Sequence, residues 1–176
     1  MNDVLKGMIR QTLGSPRVPR LLGLTGPKGV GKSTFAKSIR GESDVLCHIA
    51  SFADTLKDML EVLVGRKYVD DAKEEVVPWL GVTGRFLMQR MGTEFFREQV
   101  DQDIWVKCAE QDVKQLLEEP LITVIFDDVR FENEAEMIKR RGGQVWKLTR
   151  AGVVSNDTHA SESGIPDELI DRVVKL

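Results

Sequence analysis

Cysteine is scarce in this chain: Cys47 and Cys108 are the only two, far apart in sequence and outside any Cys-x-x-Cys spacing. That leaves no framework for a disulfide scaffold, and the expectation is two buried, reduced thiols in a cytosolic protein. Long apolar runs are missing as well. No stretch approaches membrane-spanning length, and Met1–Leu13 lacks the continuous apolar core of a signal peptide. The expected compartment is the cytoplasm, or a host's cytoplasm if the gene is viral, with no membrane partner. Nor is there an excess of positive charge. The 25 basic and 28 acidic side chains leave a formal charge of −3, which gives no electrostatic footprint for nucleic acid. Lys6, Arg10, Arg17 and Arg20 form a local basic excess that reads as a solvated arm. Internal repeats and low-complexity tracts are absent.

What is present suits one globular domain: 176 residues, 41% hydrophobic and 30% charged, enough for a substantial core. The segment Gly26-Pro27-Lys28-Gly29-Val30-Gly31-Lys32-Ser33 fits G-x-x-x-x-G-K-[ST] without substitution. Before it lies the apolar run Leu21-Leu22-Gly23-Leu24; after it, an amphipathic stretch carries Phe35, Ala36 and Ile39. Strand, Gly-rich loop and helix are the context a P-loop requires. Its glycines let backbone N–H groups turn towards a polyphosphate, Lys32 reaches the β- and γ-phosphates, and the Ser33 hydroxyl can ligate Mg²⁺. The candidate ATP-binding set is Gly26, Lys28, Gly29, Val30, Gly31, Lys32, Ser33 and Thr34.

Further along, residues 45–50 read as a second buried strand. Ser51-Phe52-Ala53-Asp54 opens a helix with Phe52, Leu56, Met59, Leu60 and Leu63 on one face and Gly65 as its stop. Residues 66–82 read as a mobile excursion. Helices are predicted over about 84–99 and 104–118, a strand over 121–126, a helix over 132–141 ending at Gly142-Gly143, then strands over 144–149 and 169–174. Alternating strands and helices imply an α/β, three-layer P-loop sandwich: a mainly parallel sheet of about five strands, with helices on both faces. Residues 1–176 are expected to form a single P-loop domain, with a helical insertion over about 52–118, where P-loop kinases hold the acceptor, and a short loop over about 150–165 in the place of a nucleotide kinase lid.

The strand ending in Asp127-Asp128 has the Walker B pattern, in which one of the two aspartates holds Mg²⁺ directly or through water. The competing reading is a strand terminus with solvated acids. Arg130 lies just past that strand, where ligands bind in open α/β sheets. Ser51 and Asp54 approximate a capping box; Asp54 can instead face an acceptor. Arg85 and Gln89 share a helical face at i, i+4, with Arg97 further along close to it. That face suits a nucleotide, or it is a polar surface opposite Phe86, Met91 and Phe95. Trp105 falls at core-stripe spacing with Ala109, Val113 and Leu116.

Asp128-Val129-Arg130-Phe131-Glu132-Asn133-Glu134 resembles the D-V-R-F-x-N-E segment of phage-type deoxynucleoside monophosphate kinases. The resemblance extends in order through Ser51-Phe52-Ala53-Asp54, Arg85 to Gln89, Gly92-Thr93-Glu94, Arg97, Asp103-Ile104-Trp105 and His159-Ala160-Ser161-Glu162. It implies phosphoryl transfer from ATP, with Mg²⁺, to a deoxynucleoside 5′-monophosphate. It also implies catalytic roles for Lys32, Asp128, Arg130 and Glu134, and acceptor contacts from Asp54, Arg85, Gln89, Arg97, Trp105, Arg130 and Glu134. Trp105 would then stack on the base, and Arg150 would serve the lid. Members of that family continue beyond the last strand, so self-association into a homodimer is expected to cover one sheet flank. Two other readings remain at this level. Gly23-Leu24-Thr25-Gly26 opens the loop as in dephospho-coenzyme A kinase, where Asp54 would be the base. A nucleotide-dependent switch is the other, against which stands the lack of an N-K-x-D segment.

Overall fold

The apolar runs around the Gly-rich loop become neighbouring strands of one sheet. A computed structural model describes residues 18–42, 46–119, 122–153 and 164–176. Its strands are β1 (Leu21–Thr25), β2 (Leu46–Ala50), β3 (Ile122–Phe126), β4 (Gln144–Thr149) and β5 (Arg172–Lys175). They lie in the order β2-β3-β1-β4-β5, every neighbouring pair parallel. In β1, Leu21 pairs with Val124 on one side, while Leu22 pairs with Gln144 on the other.

Strand alternation sends the β1 side chains to opposite faces. Leu22 and Leu24 join Phe35, Ala36 and Ile39 of helix α1 (Lys32–Glu42) in one core cluster, together with Trp146 and Leu148 of β4. On the other face Gly23 leaves room for Ile138 of α5 (Glu132–Arg140): a Cβ at residue 23 would sit 2.5 Å from the Ile138 Cδ1. Helices on both faces of a parallel sheet complete the expected α/β sandwich. Helix α5 ends at Gly142, whose φ of 75° and N–H bond to the Lys139 carbonyl close it as anticipated.

The residues fall into two compact units, one of residues up to Ser51 with Asp112–Leu176 and one of Phe52–Gln111. The second holds α2 (Asp54–Val64) and α3 (Gly84–Gln89), which runs into a π-helical segment, Arg90–Val100. Helix α4 (Ile104–Glu118) begins in this unit. The unit's core is Leu56, Leu60, Val64, Val69, Val77 and Trp105.

Several expectations need correction. Residues 66–82 are not a loose excursion: a 3₁₀ turn at Arg66–Tyr68 leads to Val69 and Val77, 1% and 0% exposed, and Val76 bridges Thr83. The two buried valines in a mostly polar run anchor it. The inner face of α2 is Leu56, Leu60 and Val64, whereas Met59 and Leu63 are exposed. Among the described residues strand β2 lies at the sheet edge and pairs only with β3, and Leu46 is exposed rather than buried. Both cysteines are half-buried. Arg20 is exposed, as expected, and its guanidinium donates to the Leu117 and Glu119 carbonyls, 2.7 and 2.8 Å, at the end of α4. Lys6, Arg10 and Arg17 lie outside the described residues, as do His159, Ser161 and Glu162. Among the described residues, no helix is long and apolar enough to cross a membrane.

The start of α3 supplies a stability test. A Cβ on Gly84 would lie 1.6 Å from the Tyr68 carbonyl oxygen, a backbone atom that cannot swing away. Gly84→Ala is expected to cost about 1–3 kcal/mol through overpacking, read as a lower urea midpoint. An unchanged midpoint would mean that the chain at Tyr68 yields freely.

Candidate active site

The strand order brings the chemistry together. Loops leaving the C-terminal ends of β2, β3, β1 and β4 emerge side by side, because those strands are neighbours in that order. They carry Ser51, Asp127-Asp128, the Gly-rich loop and Arg150 respectively. This carboxyl edge is where open α/β sheets bind ligands.

The Gly-rich loop is tied to the core by Val30, which is fully buried and donates its N–H to the Pro27 carbonyl at 3.2 Å. Gly26 has a φ of 132°, and a Cβ there would lie 2.4 Å from the Leu148 carbonyl oxygen, so only glycine fits. The loop feeds straight into α1, with Lys28, Gly29, Ser33 and Thr34 exposed. The Lys32 ammonium folds back to donate to the carbonyls of Gly26 and Pro27, at 2.6 and 3.1 Å. Burial first, and then the Arg130 cation, push this ammonium from its ordinary 10.5 down to about 8, with Asp127 and Asp128 pulling the other way. Lys32, Arg130, Asp127 and Asp128 thus form one electrostatic cluster.

The post-β3 segment is held on both sides. Asp127 N–H donates to the Ala50 carbonyl and Val129 N–H to the Leu24 carbonyl, at 3.2 and 3.1 Å. The Ser51 hydroxyl donates to the Asp128 carboxylate at 2.5 Å. The N-cap of α2 is Ala53, whose side chain makes no capping bond. Arg150 reaches over the Gly-rich loop, with its guanidinium 3.3 Å from where a Cβ on Gly31 would stand.

The sequence model of the family described as deoxynucleotide monophosphate kinase matches residues 64–175. The chain belongs to the deoxynucleotide monophosphate kinase family. A protein of Acanthamoeba polyphaga mimivirus, provisionally assigned as such a kinase, is 35% identical over 157 residues, 81% of this chain and 80% of the relative. The deoxynucleotide monophosphate kinase of Enterobacteria phage T4 is 29% identical over 115 residues, 65% of this chain but 46% of the phage protein. The deoxynucleoside-5'-monophosphate kinase of Escherichia phage T5 is 30% identical over 112 residues, 60% of this chain and 44% of that enzyme. The chain thus spans less than half of the two phage enzymes.

The remaining residues expected from the kinase family lie as follows. Glu134 is 2% exposed, and its carboxylate accepts from the backbone N–H groups of Arg130 and Phe131, 2.8 and 3.1 Å. It closes the N-terminus of α5 and fixes the backbone from which Arg130 projects. In the second unit, Asp54 pairs with Lys57 at 3.2 Å in the first turn of α2. Arg85 donates to Glu74 at 2.5 Å and Arg97 to the Gln102 carbonyl at 3.3 Å; Gln89 is half-buried. Phe86 and Phe95 are 43% and 48% exposed. Trp105 is 4% exposed, packs edge-on to Phe96 at 5.2 Å and donates its indole N–H to the Gly92 carbonyl at 2.7 Å.

The donors for a metal are hard oxygens: the Ser33 hydroxyl at the start of α1 and the two carboxylates clustered with Lys32. They suit Mg²⁺, which takes one or two protein ligands and completes its shell with water and phosphate. Among the described residues no group of three or more His, Cys, Asp or Glu could enclose a metal by themselves.

Proposed function

We propose that this protein transfers the γ-phosphoryl group of ATP to a deoxynucleoside 5′-monophosphate, giving the diphosphate and ADP. The observation carrying this reading is the cluster of Lys32, Arg130, Asp127 and Asp128 at the carboxyl edge of the sheet in a member of this family. The loop from Gly26 to Thr34 would cradle the β- and γ-phosphates at the N-terminus of α1. Ser33 with Asp127 and Asp128 would hold Mg²⁺, which supplies charge neutralisation between the phosphates.

The acceptor phosphate is ionised at neutral pH and is already a nucleophile. One of its oxygens forms the new bond to the γ-phosphorus as the bond to the β–γ bridging oxygen breaks, and the electron pair leaves with ADP. No general base is required. Catalysis is then alignment and neutralisation by Lys32 and Arg130, with Glu134 steadying the Arg130 backbone. Arg150, lying over the Gly-rich loop, would close on the ATP phosphates and exclude water. Arg85, Gln89, Arg97 and Asp54 are the proposed acceptor contacts: cations for phosphate, amide for the base edge.

A panel of deoxynucleoside and ribonucleoside monophosphates with ATP and Mg²⁺, read as ADP and acceptor diphosphate, tests this directly. At least one deoxynucleotide should yield diphosphate, and chelation of Mg²⁺ should stop it. ATP binding with no diphosphate from any standard deoxynucleotide would sink the assignment.

A further inference from the structure

The segment after α3 winds differently from its neighbours. Gly84–Gln89 is α-helical, but Arg90–Val100 is π-helical, and the Asp101 N–H closes it on the Phe96 carbonyl five residues back. Runs of this kind are rare and occur at functional sites. A physical cause sits inside the segment. In an α-helix the Gly92 carbonyl would accept from Phe96; here the Trp105 indole N–H reaches it at 2.7 Å, from a fully packed position. A side-chain donor entering a helical hydrogen-bond ladder is a known source of local distortion. Gly92 also lets Leu56 press against the segment: a Cβ there would be 2.6 Å from the Leu56 Cδ2.

This winding decides where Arg97 points. Under α geometry Arg97 would stand about 80° round the helix from Gln89. A wider helix turns less per residue, so Arg97 takes another bearing relative to Arg85 and Gln89. We propose that Trp105 is a positioning residue: its indole N–H, fixed on the Gly92 carbonyl, sets the winding of residues 90–100 and thereby aims Arg97, and its ring does not stack on the acceptor base. The inference rests on the proposed kinase reading for its use, but not for its geometry.

Trp105→Phe keeps an aromatic ring and removes the donor. Stacking would survive that change; positioning would not. Trp105→Phe is therefore expected to raise the KM for the deoxynucleoside monophosphate about tenfold while leaving the KM for ATP unchanged. In an Arg97→Ala background the same change should add less than twofold, because the two residues act as one unit. A single variant within twofold of wild type, or effects that multiply in the double variant, would overturn the proposal. Should Trp105→Phe fail to fold, the wild-type indole N–H resonance decides. It is expected to exchange slowly and to shift equally with purine and pyrimidine acceptors, whereas a base-dependent shift refutes the proposal. If wild type phosphorylates no deoxynucleotide, the kinase reading fails. Hydrogen exchange across residues 90–100 still tests the winding: it should change in Trp105→Phe, and an unchanged pattern overturns the inference.

Discussion

Lys32→Ala is expected to lower kcat/KM for ATP by about 10³-fold or more, the range seen when a cation on the transferring phosphoryl group is removed. The ammonium lies at the mouth of the Gly-rich loop and donates to the Gly26 and Pro27 carbonyls, bonds that an incoming phosphate can replace. Its lowered pKa of about 8 adds a pH signature. The free protein carries a charged Lys32 below that value, and bound polyphosphate holds the proton on. ATP affinity should therefore be flat in this group's contribution below pH 8 and fall above it, by up to tenfold per unit. The sign for stability is opposite. The unfolded chain keeps its proton up to 10.5 while the folded one loses it near 8, so the ligand-free protein gains stability between those values. Calorimetric titration of ATP across pH 7 to 10 reads the first effect, and thermal melts read the second. A pH-independent affinity, matched by Lys32→Ala, would remove Lys32 from the site.

Arg130→Ala should cost about 10²–10³-fold in kcat with little change in ATP affinity at neutral pH. Lysine at this position should recover little, since it offers a point charge in place of a planar fork. The structure adds a second readout. Arg130 is the largest charge effect depressing the Lys32 pKa, so its removal should move the alkaline fall in ATP affinity to higher pH. A loss of rate with the pH limb unmoved would place Arg130 away from Lys32 in solution.

Local signals carried most of the cluster at the carboxyl edge of the sheet. The Gly-rich loop, its flanking strand and helix, and the acidic end of β3 are contiguous patterns, and each forms the element its spacing announces. The parallel sheet followed from alternation alone. What escaped were features whose partners are distant in sequence. Ser51 was read only against Asp54, three residues on; the acceptor of its hydroxyl, Asp128, is far along the chain. Residues 66–82 looked loose because two buried valines do not make a periodic pattern. The π winding after Gln89 was invisible, since helical periodicity is read at α spacing. For Trp105, stripe spacing with Ala109 and Val113 announced burial, but nothing local announced the bond to Gly92. The kinase family's residues in the second unit were found by resemblance, with their chemistry left as a proposal.

The pairing of Leu21 with Val124 has a consequence for how the molecule is made. The Gly-rich loop is synthesised well before β3, and the strand before it has no central partner until β3 has been made. At about 5–20 residues per second, β1 waits on the order of ten seconds with its apolar side chains uncovered. Residues 52–111 form a compact unit from one continuous stretch and can fold during that wait. Newly made chains are therefore most exposed to aggregation and proteolysis in the interval before β3 appears. Synonymous changes that slow translation across residues 52–121 should lower the yield of active protein without altering a single residue of it.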